Sequence, residues 1–188
     1  MGYSSTRAQV LSAVPSACGF VNQLLVMALP RFCPRFSVWI MLFSAAACAF
    51  YAVLATVESP HVRFAFLALS NFALAPNMPL VSLWMANNVL GVTKKGVAAA
   101  TTVMLGGVAG LIGSHIYRPQ DAPQYRFGHI FNCVCNAVIF VLAAALGLYF
   151  RYENRRRDRS SVKVDVASLS AEQLDELCDS HPDHRYTW

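Results

Sequence analysis

Apolar residues fall into five runs, 9–29, 36–57, 64–85, 97–117 and 130–150, none of which contains Asp, Glu, Lys or Arg. At about 1.5 Å of rise per residue, each is long enough to cross a hydrocarbon core of roughly 30 Å as a helix. Between them lie short polar segments: Pro30-Arg31-Phe32-Cys33-Pro34-Arg35, Glu58-Ser59-Pro60-His61-Val62-Arg63, a link containing Lys94-Lys95, and Arg118-Pro119-Gln120-Asp121-Ala122-Pro123. Prolines in the last of these lack a backbone donor and restrict their predecessors, so no helix continues through it. The pattern predicts an all-α integral membrane protein of about five transmembrane helices. Residues 1–150 form the membrane domain, and residues 151–188 form a cytoplasmic, largely disordered tail. The charge-dense 151–159 segment acts as the stop signal.

The runs differ in their interiors. The first carries Pro15, Asn22 and Gln23; the second is almost featureless, with Trp39 and Tyr51; the fifth has Asn132 and Asn136 one turn apart. The third is broken near its middle by Asn71, Pro76, Asn77 and Pro79. Two prolines three apart leave backbone carbonyls without helical partners, and lipid cannot satisfy them. Such a break suits either the wall of a cavity or a structural kink whose amides cap it. At 100° per residue, Asn71 and Asn77 lie about 240° apart on an unbroken helix, so they would not share one cavity, whereas Asn77, Trp84 and Asn88 share a face. The fourth run presents Gly106, Gly110 and Ser114 at every fourth position, with Gly107 and Gly113 beside them. In lipid, where helices associate by close packing, that stripe predicts a helix-contact face.

Composition agrees with this layout. The chain of 188 residues is 56% hydrophobic and 13% charged, where a soluble domain carries about 25% charged residues. The net charge of +5 resides largely in the loops and the tail. Membrane topology accounts for it better than nucleic-acid binding does. With five spans, eleven of the fifteen Lys and Arg residues fall on one side, Lys94, Lys95 and the Arg151–Arg159 cluster among them, and only Arg7, Arg63, Arg118 and Arg126 on the other. This bias predicts a cytoplasmic C-terminus.

Four of the six cysteines, Cys18, Cys48, Cys133 and Cys135, lie inside apolar runs and read as small apolar side chains, not as a disulfide framework or zinc site; Cys33 and Cys178 lie outside them. No cofactor and no metal is expected. The tail pair His181 and His184 reads as solvated. No signal peptide is apparent, and the start at Met1-Gly2 fits only the loose N-myristoylation pattern, an anchor that a multispanning chain does not need. Phosphate loops and nucleophile elbows are missing from the sequence, so an enzyme is not expected.

Several motifs resemble those of a known family. They are Trp84-x-x-Asn87-Asn88-x-x-Gly91-x-Thr93-Lys94-Lys95, Gly107-x-x-Gly110-x-Ile112-Gly113-Ser114-x-Ile116-Tyr117, and Asp121-Ala122-Pro123-x-Tyr125-x-x-Gly128-His129. The opening Gly2-Tyr3-Ser4 with Leu11-Ser12-x-x-Pro15, the Asn154-x-x-x-Asp158 pair and the ending Asp183-His184-Arg185-Tyr186 extend the match to nearly the whole chain. Together they resemble fungal major facilitator superfamily transporters, specifically the anion:cation symporter group of allantoate and nicotinate permeases. The resemblance implies a partial fold, the C-terminal half, with the five spans matching helices eight to twelve. It also implies a missing N-terminal half as partner, a small organic anion as substrate, proton coupling, and a location in the plasma membrane. The 30–35 loop departs from the family by lacking its usual acidic residue.

No run contains an acidic or basic residue that could couple transport to protons, and His115, near a span's end, is the only ionisable exception. Coupling groups would therefore lie in the missing part. Asn22, Asn71 and Asn77 are the expected substrate contacts, being polar, deep and close to helix breaks. The alternative to a transporter is a non-transporting membrane protein that binds partners through the small-residue face and the tail. A five-span bundle that exposed Pro76, Asn77 and Pro79 to lipid would be poorly stable alone.

Overall fold

A computed structural model of the chain describes residues 5–122, 124–159 and 185–188, with only the backbone at 5–9 and 31. Gly2 of the acylation pattern and the His181/His184 pair lie outside these residues. In lipid every backbone polar group needs a partner within its own segment, so uninterrupted apolar runs become helices. Among the described residues there is no strand. Among the described residues seven α-helices follow one another, α1 (Ser5–Val26), α2 (Leu29–Phe32), α3 (Phe36–Thr56), α4 (Pro60–Leu74), α5 (Asn77–Asn88), α6 (Val92–Ile116) and α7 (Arg126–Arg159), with a short 3-10 turn at Pro119–Asp121 before the last.

Among the described residues four segments have the length and composition to cross a bilayer: α3, α4 with α5 taken together, α6, and α7. The first of the five expected spans corresponds to α1, whose apolar part, Val10–Val26, is shorter. The third expected span is the α4–α5 pair, divided where the sequence places its prolines.

The packing centre is α3. Its buried face, Phe36, Ile40, Ser44, Ala47 and Tyr51, repeats at intervals of three and four residues and lies antiparallel against α7. Small residues set the spacing between them. A Cβ added at Gly147 would lie 2.7 Å from Ser37 Oγ and 2.8 Å from Ser37 Cβ. Further along the same interface the Cys48 and Cys133 sulfurs are 3.1 Å apart. At one end Val26, Phe36, Ile40, Leu80, Trp84 and Ala143 close into a common apolar cluster.

α6 differs from every other long helix: none of its residues is buried. Gly91, at φ 88°, starts it, a conformation that glycine adopts without strain. A Cβ built on Gly106, Gly107, Gly110 or Gly113 meets nothing within 4 Å. Among the described residues, the expected contact face thus has no partner.

The boundary expected at residue 150 marks no break in the backbone. α7 continues to Arg159, and its last turns are held by Glu153, which accepts from Arg156 at 3.3 Å and Arg157 at 3.2 Å. A charge run ends an apolar span but is good helix-forming sequence, so helix and span end at different residues. At about 1.5 Å per residue, the 34 residues of α7 outreach a hydrocarbon core of roughly 30 Å. Residues 185–188, part of the tail expected to be disordered, lie against the bundle, where Tyr186 stacks on Phe150 with ring centroids 4.8 Å apart.

Candidate transport site at the α4–α5 break

Pro76 has no N–H to donate, so the carbonyl four residues earlier, on Phe72, loses its helical partner. Asn22 of α1 supplies one: its Nδ2 donates to Phe72 O at 2.6 Å. Asn22 is buried. One turn earlier on α1, Gly19 allows the close approach that this bond requires, since a Cβ there would lie 3.1 Å from both Ala75 Cβ and Asn71 O. The carbonyl freed by Pro76 is therefore satisfied from within the chain. Pro76 and Asn77 are buried in the bundle and Pro79 is half-buried, so the exposure to lipid expected for a free-standing chain does not occur.

The two residues at the break remain in the right-handed helical region, Ala75 at φ −55° and ψ −41°, Pro76 at φ −73° and ψ −14°. The helix phase is thus carried across, and Asn71 and Asn77 point in different directions, as the 240° separation requires. Half-buried Asn71 donates to Leu67 O of its own helix at 3.2 Å. Asn77 turns toward α3, where Nδ2 donates to Ser44 Oγ at 3.3 Å and Oδ1, buried, has no partner. The structure brings Asn22 and Asn71 to the same α1–α4 contact and sets Asn77 apart, against α3.

Past the break, α1 and α5 enclose a cleft of about 330 Å³ lined by Gln23, Met27, Pro79, Ser82, Leu83 and Ala86. Its volume falls at the small end of the roughly 300–1,000 Å³ of small-molecule sites. Gln23, not Asn22, is the α1 amide that borders it. In the sequence the two are adjacent amides deep in one apolar run, with nothing to distinguish them. Their adjacency puts them about 100° apart around the helix, and only the partner helix decides which faces the cleft.

A second cavity, about 590 Å³, opens at the other end of the bundle among Glu58, Arg63, Tyr117, Gln124, Tyr125 and His129. The Arg63 guanidinium donates to Gln124 O. In the sequence His129 lies just outside the fifth apolar run. Because α7 starts at Arg126, it is instead buried in the helix under the rings of Tyr51 and Tyr117, and its Nδ1 has no partner. Gly128 leaves the space for the Tyr117 ring: a Cβ there would lie 2.6 Å from it. The Tyr125-x-x-Gly128-His129 spacing was the available signal, since the helix that begins at Arg126 puts Gly128 and His129 in its first turn. Among the described residues no cluster of His, Cys, Asp or Glu could hold a metal ion.

No protein-family model matches the chain, and no solved structure does. Curated relatives do. An uncharacterized transporter of Schizosaccharomyces pombe is 26% identical over 180 residues, 94% of this chain and 36% of the relative. The major facilitator-type transporter hxnP of Emericella nidulans is 26% identical over 190 residues, 99% of this chain and 38% of the relative. The MFS-type transporter cnsO of Penicillium expansum is 28% identical over 129 residues, 68% of this chain and 25% of the relative. The chain spans well under half the length of the relatives it matches. Nearly all of this helical chain is therefore similar to part of a fungal transporter of the major facilitator type.

Proposed function

We propose that the chain is the C-terminal part of a fungal membrane transporter for a small organic anion, a carboxylate such as allantoate or a vitamin acid. Proton coupling is supplied by residues outside this chain, the protein resides in the plasma membrane, and its basic end faces the cytoplasm. The observation that carries this reading is the satisfied helix break beside the α1–α5 cleft. An interrupted helix near the middle of a span, bordered by a cleft, is how transporters place polar groups at solute depth. Asn71 and Asn77 each direct one side-chain N–H to a protein acceptor, and an amide NH2 carries a second that can donate to a carboxylate, while Asn22 holds the broken backbone in place. Relatives named as major facilitator-type transporters support the transporter class; the anion and its coupling rest on the motif resemblance.

The test is uptake of radiolabelled allantoate and nicotinate by a fungal host that lacks its own permeases for them and expresses the natural gene product. Saturable uptake above the empty host is expected. Asn71→Ala and Asn77→Ala should each lower it about tenfold at equal membrane abundance, the cost of roughly one hydrogen bond to solute. Uptake by neither anion, with the protein present at the membrane, contradicts the substrate class. The bare face of α6 favours a second reading, a non-transporting protein that binds partners there. Under the transporter reading the same face is covered by the other half of the fold.

A further inference from the structure

Residues 185–188 lie at the basic end of the bundle, and the main chain of Tyr186 and Thr187 is engaged by two asparagines. Asn154 of α7 accepts from Tyr186 N at 2.9 Å and donates to Tyr186 O at 2.8 Å. Asn88 of α5 accepts from Thr187 N at 2.8 Å and donates to Thr187 O at 3.0 Å. Trp84 Nε1 adds a second donor to Thr187 O at 2.7 Å. An asparagine side chain offers the same donor and acceptor as a peptide unit. The pair therefore treats residues 186 and 187 as flanking strands would treat an extended peptide. Asn88 and Trp84 are both buried, and it is Thr187 that supplies hydrogen-bond partners to Trp84 Nε1 and Asn88 Oδ1.

Side chains add selectivity to this backbone reading. Tyr186 stacks on Phe150, and the Arg157 guanidinium lies 4.8 Å from the centre of the Tyr186 ring and donates to its hydroxyl at 3.2 Å. Trp188 is gripped by two cations, Arg35 at 4.7 Å, from the turn before α3, and Arg151 at 4.3 Å. Arg185 pairs with Asp158 at 2.9 Å. The contacts come from three elements, α5, α7 and the turn before α3.

We propose that this end of the bundle is a peptide-recognition site whose ligand is the chain's own C-terminal Arg185-Tyr186-Thr187-Trp188, and that its occupancy ties α5 to α7. The tether makes docking intramolecular, so contacts that are individually modest suffice to keep the site filled. Any displacement of α5 against α7 requires release of the tetrapeptide. The inference does not depend on what the protein transports, or on whether it transports.

Amide hydrogen exchange of the full chain in nanodiscs, resolved to single residues, tests it, with a free synthetic peptide of residues 181–188 as reference. The Tyr186 and Thr187 amides should exchange at least about tenfold more slowly in the chain than in the peptide. Asn154→Ala should release chiefly Tyr186, and Asn88→Ala chiefly Thr187, a residue-by-residue pattern that general loosening would not produce. The double variant Tyr186→Ala, Trp188→Ala leaves the helices untouched and should expose the Thr187 amide as well. Exchange at the rate of the free peptide in the wild-type chain overturns the proposal. So does protection of Thr187 that survives the tail double variant.

Discussion

The α3–α7 interface and α6 are built from similar residues and end in opposite situations. Both are apolar and both carry small side chains, Ser37 and Gly147 in the one, Gly106 and Gly110 in the other. In the first, the small residues are used: α3 and α7 approach until a Cβ at Gly147 would overlap Ser37. In the second, the same chemistry faces open space and no residue is buried. A small-residue stripe on a membrane helix therefore marks a capacity for close contact. Whether the contact is made depends on a partner that the stripe itself does not name.

Four substitutions break or sharpen this contrast, measured as thermal unfolding of the purified chain in mild detergent. Gly147→Leu should have the largest effect, about 3 kcal/mol or more, because overpacking at a backbone-close contact has no side chain that can fully yield. Asn22→Leu should cost about 1–3 kcal/mol by leaving the part-buried Phe72 carbonyl without a donor. Gly19→Ala should cost about 1 kcal/mol, since its Cβ would press on Asn71 O and Ala75 Cβ at 3.1 Å, a tight contact but not an overlap. Gly110→Leu should change stability by less than about 0.5 kcal/mol, because nothing lies against it within the chain. The same Gly110→Leu should reduce recovery of the native assembly from fungal membranes if the α6 face meets another helix there. Equal costs at Gly147 and Gly110 would erase the distinction between the two regions.

Much of the fold was legible in the sequence because the bilayer imposes simple requirements. Runs without charge become helices, and a proline three residues from another interrupts one, so the α4–α5 division could be placed from Pro76 and Pro79. The helical phase also foretold that Asn71 and Asn77 point apart. What was not legible depends on pairs far apart in the chain. That Asn22 meets the freed carbonyl of Phe72 needs the α1–α4 crossing, which leaves no periodic trace. The burial of His129 was not legible because the apolar run begins only at Ile130, whereas the helix begins at Arg126. The docking of residues 185–188 escaped for a related reason: Asn88 and Thr187 are distant in sequence, and a short polar ending beside a charge run reads as solvated until its partners are known.

The most direct measurement of the central claim, that this chain is part of a larger transporter whose remaining helices cover α6, is the size of the native product. An immunoblot of native membranes with an antibody to residues 162–188 is expected to show a band more than twice the mass of this 20.6 kDa chain, since the chain spans 36% of a transporter it resembles. A band near 20.6 kDa would contradict the claim and leave α6 to be covered by a separate partner.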